Sequence, residues 1–233
     1  IYFAIDAPVG DMAIQLVSRA RYTGSETSKV FNTTRMDLKK IGLLGGSFDP
    51  VHRAHIALAE TARKHLALDE VQLIPAADPW QRPALKASRT HRMKMLDLAI
   101  ASYPFLTLNS VEVDRGGKTY TIDTLEGLPK TAQYFWILGA DQLQNFCTWH
   151  RWEDILAYVH LVVANRPGTE PIAPEPLAKM LETLKKPLIS LPFEPIPIAA
   201  TEIRERIAGG QSVDDMLDKN VLNYIQEHHL YQT

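Results

Sequence analysis

The apolar residues of the chain fall into two alternating patterns. Short apolar runs, typical of buried strands, recur along the chain. Between them, apolar residues are spaced as on one face of a helix. The predicted strands are 38–44, 70–75, 105–113, 134–138, a fifth that ends near residue 164, and 188–191. The predicted helices are 52–66, 88–102, one that opens near 119, 177–185, one that opens near 199, and 213–228.

This alternation predicts the fold class. A strand, a helix and a second strand in that order form a parallel pair with a right-handed crossover. Repeated along the chain, the unit predicts an α/β protein with a doubly wound, mostly parallel sheet of five or six strands, of the Rossmann-like kind, with C-terminal helices. Residues 1–35 do not fit this pattern, because the stretch 23–28 within them has the polar composition of a linker. We expect 1–35 to be a disordered or non-native extension and 36–233 to form a single domain.

Composition narrows the function classes. The chain of 233 residues is 45% hydrophobic and has a net charge of −2. It has no basic tract, so no nucleic acid is expected as a partner. No apolar run approaches the roughly 20 residues that span a bilayer. The single cysteine, Cys147, excludes an internal disulfide and suits a reducing cytoplasm. The sequence leaves open whether the chain forms a homo-oligomer.

One stretch at a strand-to-helix crossing carries the clearest chemistry. It reads GGSFDPVHRAH over residues 45–55. Gly45 and Gly46 allow a tight turn and a close approach of the backbone to a ligand. His52 and His55 are three residues apart, so on a helix they share a face. Backbone N–H groups and the positive end of a helix dipole point outward at such a crossing. The stretch therefore predicts a phosphate site, with both imidazoles as hydrogen-bond donors.

The same stretch resembles the GG-[ST]-FDP-x-H-x-x-H signature of the HxGH nucleotidyltransferase superfamily, with Ala54 in place of the usual glycine. From about Met36 to its end, the chain resembles the bacterial nicotinate-nucleotide adenylyltransferases. The resemblance implies adenylyl transfer from ATP to nicotinate mononucleotide, which yields nicotinate adenine dinucleotide and pyrophosphate in NAD biosynthesis. It also implies Mg²⁺ as the cofactor, held mainly by phosphates, with no direct protein ligands.

Further motifs extend the resemblance. The segment TYTIDTL at 119–125 is similar to the family's S/T-Y-T-x-x-T-L, and Gly139 with Asp141 matches its G-x-D. The turn RPG at 166–168 matches a turn near the pyridine ring. The segment IAATEIR at 198–204 is similar to I-S-x-T-x-I-R, although Ala199 replaces the serine.

These motifs assign candidate site residues in three groups. The catalytic candidates are His52, His55 and Arg204. The ATP-binding candidates are Gly45, Gly46, Ser47, Phe48, Gly139, Asp141, Ala199 and Thr201. The mononucleotide-binding candidates are Arg82, Tyr120, Thr121, Trp149 and Arg166. Trp149 is expected to stack against the pyridine, since a tryptophan ring is a platform for a flat heteroaromatic.

Several readings stay open at this level. Thr119 or Thr121 could simply cap a helix, and Asp141 could do the same. Cys147 and His150 could join the two histidines of the signature at a metal site, although zinc ligands usually show tighter paired spacing. Another adenylyltransferase, acting on nicotinamide mononucleotide or phosphopantetheine, is the alternative enzyme. A nucleotide-binding regulator without turnover is the alternative outside catalysis.

Overall fold

A computed structural model describes residues 38–78 and 84–232 of the chain. The predicted extension at 1–35 and the candidate Arg82 lie outside the described residues, so the expectations for them remain predictions. Within the described residues, no helix is both long and apolar enough to cross a membrane.

The described residues form one six-stranded sheet in which all neighbouring strands are parallel. Its order is β3-β2-β1-β4-β5-β6. The strands are β1 (Lys39–Gly46), β2 (Glu70–Pro75), β3 (Leu106–Leu108), β4 (Ala132–Gly139), β5 (Val159–Asn165) and β6 (Ile189–Pro192). The predicted doubly wound α/β fold is therefore confirmed, with a sheet that is fully rather than mostly parallel.

Helices cover the sheet and connect its strands. They are α1 (Arg53–Leu66), α2 (Arg89–Ile100), α3 (Val111–Arg115), α4 (Thr121–Glu126), α5 (Ala140–Asn145), α6 (Trp152–Tyr158), α7 (Glu175–Thr183), α8 (Ala200–Ala208) and α9 (Lys219–Glu227). A single 3-10 turn, Phe146–Thr148, joins α5 to the segment before α6.

Two apolar cores explain why the strands read as continuous hydrophobic runs. Successive residues of β1 point to opposite faces, so Leu43 packs into one core and Leu44 into the other. Both side chains are buried because helices cover both faces of a parallel sheet. The apolar pattern of the sequence thus records a sheet buried on its two sides.

The prediction of a strand over 105–113 was wrong in its second half. The strand stops at Leu108, and the next apolar pair, Val111 and Val113, belongs to α3. The amide oxygen of Asn109 accepts a hydrogen bond from the backbone N–H of Val111 at 3.1 Å, which turns the chain out of the sheet. Helix α3 then ends at Arg115, and Gly116 is its C-cap.

The C-terminal helix is also shorter than the predicted 213–228. It begins after Asp218, whose carboxylate accepts from the backbone N–H of Asn220 at 2.8 Å. This N-cap starts the helix at Lys219, six residues after the predicted position.

The sheet reverses its winding between β1 and β4. The connections from β1 run towards β2 and β3 on one side, and those from β4 towards β5 and β6 on the other. In open α/β sheets the crevice at such a point, outside the carboxyl ends of the strands, is where ligands bind. Here those ends are Gly46 and Gly139.

Candidate active site

A cavity of about 200 Å³ lies at the carboxyl ends of β1 and β4. Gly45 leaves room for the Trp136 ring, because a Cβ at this position would stand 3.1 Å from Cζ2 of that ring, closer than ordinary van der Waals contact. The lining residues come from strands, from loops and from α3, α4 and α5. They are Leu44, Gly45, Gly46, Ser47, Ala76, Glu112, Thr119, Tyr120, Thr121, Trp136, Ile137, Leu138, Gly139, Gln142, Trp149 and His150.

Aromatic packing shapes one wall of the cavity. The Trp149 ring lies 5.1 Å from the Phe146 ring and meets the edge of Trp136 at 6.3 Å. Its indole Nε1 is buried and has no hydrogen-bond partner among the described residues. A buried donor without a partner is costly unless a ligand supplies one. Across the cavity, the Tyr120 ring lies 4.6 Å from that of His150.

Sequence reasoning missed Glu112, which lines the cavity and is only 4% exposed. Burial disfavours its charged form and raises the pKa of this carboxyl from 4.5 to about 7. The hydroxyl of Thr124 donates to its Oε1 at 2.8 Å and so ties α3 to α4. An acid between two valines was the available signal, but the strand predicted over 105–113 gave it no role.

The threonines at the start of α4 do not cap the helix. The N-cap is Tyr120, and its side chain makes no capping bond. Thr119 instead accepts two hydrogen bonds at its hydroxyl, from the backbone N–H groups of Ala77 at 3.0 Å and Asp78 at 3.2 Å. Thr119 therefore fixes the loop after β2 against the cavity wall.

The two histidines of the signature stack on each other at the start of α1. Their ring centroids are 3.7 Å apart. The backbone N–H of His52 donates to Nδ1 of His55 at 3.2 Å. In a neutral imidazole, an accepting Nδ1 places the proton on Nε2, so His55 carries an N–H donor at Nε2. The edge of Phe48 packs 4.9 Å from the same ring.

His52 differs from His55 in its surroundings. It is the N-cap of α1 and is 8% exposed. Burial lowers its pKa from 6.5 to about 4, so the ring is neutral at pH 7. Its Nδ1 is buried without a hydrogen-bond partner within the described part of the chain. His52 borders a second opening, of about 410 Å³, beside α1, and it does not line the cavity at the sheet edge.

Arg204 reaches the glycine-rich loop, by which we mean residues 45–50. Its Nη1 donates to the carbonyl of Asp49 at 2.7 Å, and its Nη2 donates to the hydroxyl of Thr201 at 3.1 Å. Thr201 and Arg204 therefore lie on one face of the first turn of α8. Ala199, the residue that replaces serine, is the N-cap of α8 and makes no side-chain capping bond.

The remaining candidates lie at different distances from this site. Gly139 lines the cavity, and a Cβ on it would stand 2.7 Å from Oδ1 of Asp141. Asp141 itself is exposed in the first turn of α5 and is not among the lining residues. Arg166 is exposed in the turn after β5, where its carbonyl accepts from the N–H of Thr169 at 3.1 Å.

The described residues contain no group of three or more His, Cys, Asp or Glu side chains that could hold a metal ion. The alternative in which Cys147, His150 and the paired histidines bind zinc thus has no support from the described part of the chain.

A nucleotide-binding sheet edge with stacked imidazoles and a guanidinium on a glycine-rich loop is typical of nucleotidyltransferases. The model of the cytidylyltransferase-like family matches residues 43–206, which span β1 to α8. The fold and the match together place the chain in that class.

Proteins similar in sequence identify the family within the nucleotidyltransferase class. The chain is 57% identical over 197 residues to the "probable nicotinate-nucleotide adenylyltransferase" of Bordetella pertussis, a match that covers 84% of this chain and all of the relative. It is 38% identical over 209 residues to the protein of that name from Pseudomonas aeruginosa PAO1, over 83% of this chain and 98% of the relative. The chain therefore belongs to the nicotinate-nucleotide adenylyltransferase family.

Solved structures agree with the fold. The nicotinic acid mononucleotide adenylyltransferase of Plasmodium falciparum, complexed with NaAD, superposes with a TM-score of 0.65 at 19% identity. The alignment covers 83% of this chain and 97% of that one. The same enzyme complexed with APC superposes with a TM-score of 0.64.

Proposed function

We propose that the chain transfers the adenylyl group of ATP to nicotinate mononucleotide and releases pyrophosphate. The observation that carries this proposal is the adjacency of two differently built regions. A cavity with an aromatic wall lies at the carboxyl ends of β1 and β4. The glycine-rich loop borders this cavity, since residues 45–47 are part of its lining, and the loop is bonded to Arg204 and leads to His55 at the start of α1. One suits a flat ring and the other a polyphosphate.

The reaction needs positioning more than acid–base chemistry. An oxygen of the mononucleotide phosphate forms a bond to the α-phosphorus of ATP, and the bond from that phosphorus to the bridging oxygen of pyrophosphate breaks. The attacking phosphate is already anionic, so no side chain has to deprotonate it. The protein's task is to align the two phosphates and to stabilise the charge that develops on the leaving group.

We assign ATP to the loop and to the starts of α1 and α8. Gly45, Gly46, Ser47 and Phe48 would bring backbone N–H groups to the phosphates, supported by the α1 dipole. Nε2–H of His55 and the guanidinium of Arg204 would donate to the phosphates. The neutral ring of His52 is also assigned to the ATP side. Gly139 and Asp141 are assigned to the ribose of ATP, and Ala199 and Thr201 to its phosphates.

We assign nicotinate mononucleotide to the cavity. Trp149 would stack on the pyridine, and Tyr120 and Thr121 at the start of α4 would face the same ligand. Arg82 and Arg166 remain predicted contacts, since the first lies outside the described residues and the second outside the cavity lining.

Mg²⁺ bound to the triphosphate would neutralise phosphate charge during transfer. An ion held by phosphate oxygens and waters needs few protein ligands. Asp141 is the carboxylate at the sheet edge with room to meet such an ion through water. We further propose that the enzyme acts in the cytoplasm, where Cys147 would remain a thiol.

Pyrophosphate release tests the function. The chain is incubated with ATP and Mg²⁺ and with nicotinate mononucleotide, nicotinamide mononucleotide or phosphopantetheine. We expect the highest kcat/KM with nicotinate mononucleotide. A preference for another acceptor would move the assignment to that adenylyltransferase. Tight ATP binding without turnover on any acceptor would indicate a regulator.

A further inference from the structure

The carboxylate of Asp49 is buried in the glycine-rich loop and is only 4% exposed. Three donors hold it. Backbone N–H groups donate from Lys86 at 2.6 Å and from Ala87 at 3.0 Å. The third donor is the hydroxyl of Tyr231, at 2.7 Å, which lies 182 residues away in sequence. The C-terminal segment is therefore bonded directly to the loop that carries the signature.

The main chain of the same residue holds Arg204. Its carbonyl accepts from Nη1 of that arginine at 2.7 Å. Asp49 thus meets Tyr231 with its side chain and Arg204 with its backbone. A backbone rotation at Asp49 that follows loss of the tyrosine bond would move the acceptor that orients the guanidinium.

The loop needs outside support to keep its shape. Phe48 has a φ of 47°, in the left-handed region that residues with a side chain rarely adopt. Such a conformation persists when surrounding contacts fix it. Arg92, 1% exposed, donates to the Ser47 carbonyl at 2.8 Å, and the Tyr231 hydroxyl donates to the Asp49 carboxylate at 2.7 Å.

We propose that Tyr231 is a positioning residue for ATP, which acts through Asp49 on Arg204. This inference rests on the proposed function for the identity of the ligand. Burial, together with the Asp49 carboxylate, raises the pKa of the Tyr231 phenol above its usual range, so the hydroxyl remains a donor at any working pH.

The test compares Tyr231→Phe with a matched control. Tyr134→Phe also removes a tyrosine hydroxyl bond, to the carbonyl of Pro129 at 2.9 Å, but near the amino end of β4. We expect Tyr231→Phe to raise the Kd for ATP, measured by calorimetry, and the KM for ATP about tenfold, the effect of a lost hydrogen bond to a charged group. The KM for nicotinate mononucleotide should change less than twofold. The control should leave both constants within twofold.

A truncation gives a second variant. Deleting residues 231–233 should reproduce the effect of Tyr231→Phe, whereas deleting residues 232–233 should not. A double-mutant cycle with Arg204→Ala then tests the route. If Tyr231 acts through the arginine, Tyr231→Phe should have little further effect on the Kd for ATP in the Arg204→Ala background.

Three results would overturn the inference. They are an unchanged Kd for ATP in Tyr231→Phe, equal changes for both substrates, or additive effects in the cycle.

The readouts separate this inference from the proposed function. A wild-type chain that binds ATP but transfers nothing contradicts the function alone, because the Kd comparison still decides the role of Tyr231. A wild-type chain that binds no ATP contradicts both.

Discussion

The glycine-rich loop and the neighbouring cavity are built by opposite means. The loop is held by hydrogen bonds from distant segments, among them those of Arg92, Arg204 and Tyr231. The cavity is shaped by aromatic packing. In its wall, the indole Nε1 of Trp149 has no partner among the described residues, and burial favours the protonated form of Glu112.

The difference indicates two modes of recognition. Donors already fixed in place can meet phosphate charge without reorganising, which is how a transferring phosphoryl group is stabilised. A buried donor without a partner, such as Nε1 of Trp149, favours a ligand that supplies an acceptor. We therefore expect changes in the loop to affect turnover, and changes in the cavity to affect affinity for the mononucleotide.

The largest expected effect comes from His55→Ala. Loss of the Nε2–H donor should lower kcat about 10²–10³-fold, the usual cost of one donor to a developing charge. Steady-state pyrophosphate release measures it. His65→Ala, an exposed histidine on the same helix, is the control and should keep wild-type kcat. An unchanged kcat in His55→Ala would remove this histidine from the reaction.

The sequence predicted the loop better than the cavity, for a physical reason. The loop's groups are adjacent in sequence, so a spacing of three residues was enough to place His52 beside His55. The cavity joins residues from separate segments whose relation depends on packing. Glu112 was hidden because Val111 and Val113 fit a strand as well as a helix, and only the turn at Asn109 decides between them.

The fold, like the site, could be predicted from the sequence in part. Strand β2 was predicted with its observed bounds, since charged or polar residues and Pro75 delimit it. The full parallel order of six strands needed tertiary information, because strand neighbours are chosen by packing of the crossover helices. The bonds of Asp49 to Lys86 and Tyr231 could not be predicted, as no local pattern links such distant residues.

The second prediction concerns Glu112 in the unliganded chain. Because its pKa is raised from 4.5 to about 7, the folded state binds this proton more tightly than the unfolded state. The resulting stabilisation is complete below pH 4.5 and is lost as pH rises through 7. Between pH 5 and 9, the unfolding free energy of the wild type should therefore fall by about 3 kcal/mol relative to Glu112→Gln.

Urea titrations at pH 5, 7 and 9 measure this difference. Glu182→Gln, at an exposed position of α7, is the control and should follow the wild type at each pH. A constant gap between wild type and Glu112→Gln across the range would show that this carboxyl does not titrate near neutrality.

The third prediction concerns the cavity wall. Trp149→Ala should raise the KM for nicotinate mononucleotide about tenfold or more, since stacking of a flat base on an aromatic ring contributes about 1–3 kcal/mol. The KM for ATP should change less than threefold. Trp149→Phe keeps a flat ring and should recover most of the affinity. Equal effects on both substrates would contradict the division between loop and cavity.

The smallest expected effect comes from Ala199→Ser, which restores the serine of the family motif. Ala199 is the N-cap of α8 and makes no side-chain capping bond. Ala199→Ser should raise the unfolding free energy by about 1 kcal/mol, because a serine hydroxyl can accept from an orphan N–H of the first turn. If position 199 also contacts the phosphates of ATP, the same variant should lower the KM for ATP a few-fold. Ala199→Gly separates the two effects, since glycine caps nearly as well but brings no hydroxyl. A gain in stability in Ala199→Ser with an unchanged KM for ATP would show that the N-cap of α8 does not contact the phosphates. Arg204 would then be the residue of α8 that acts on ATP.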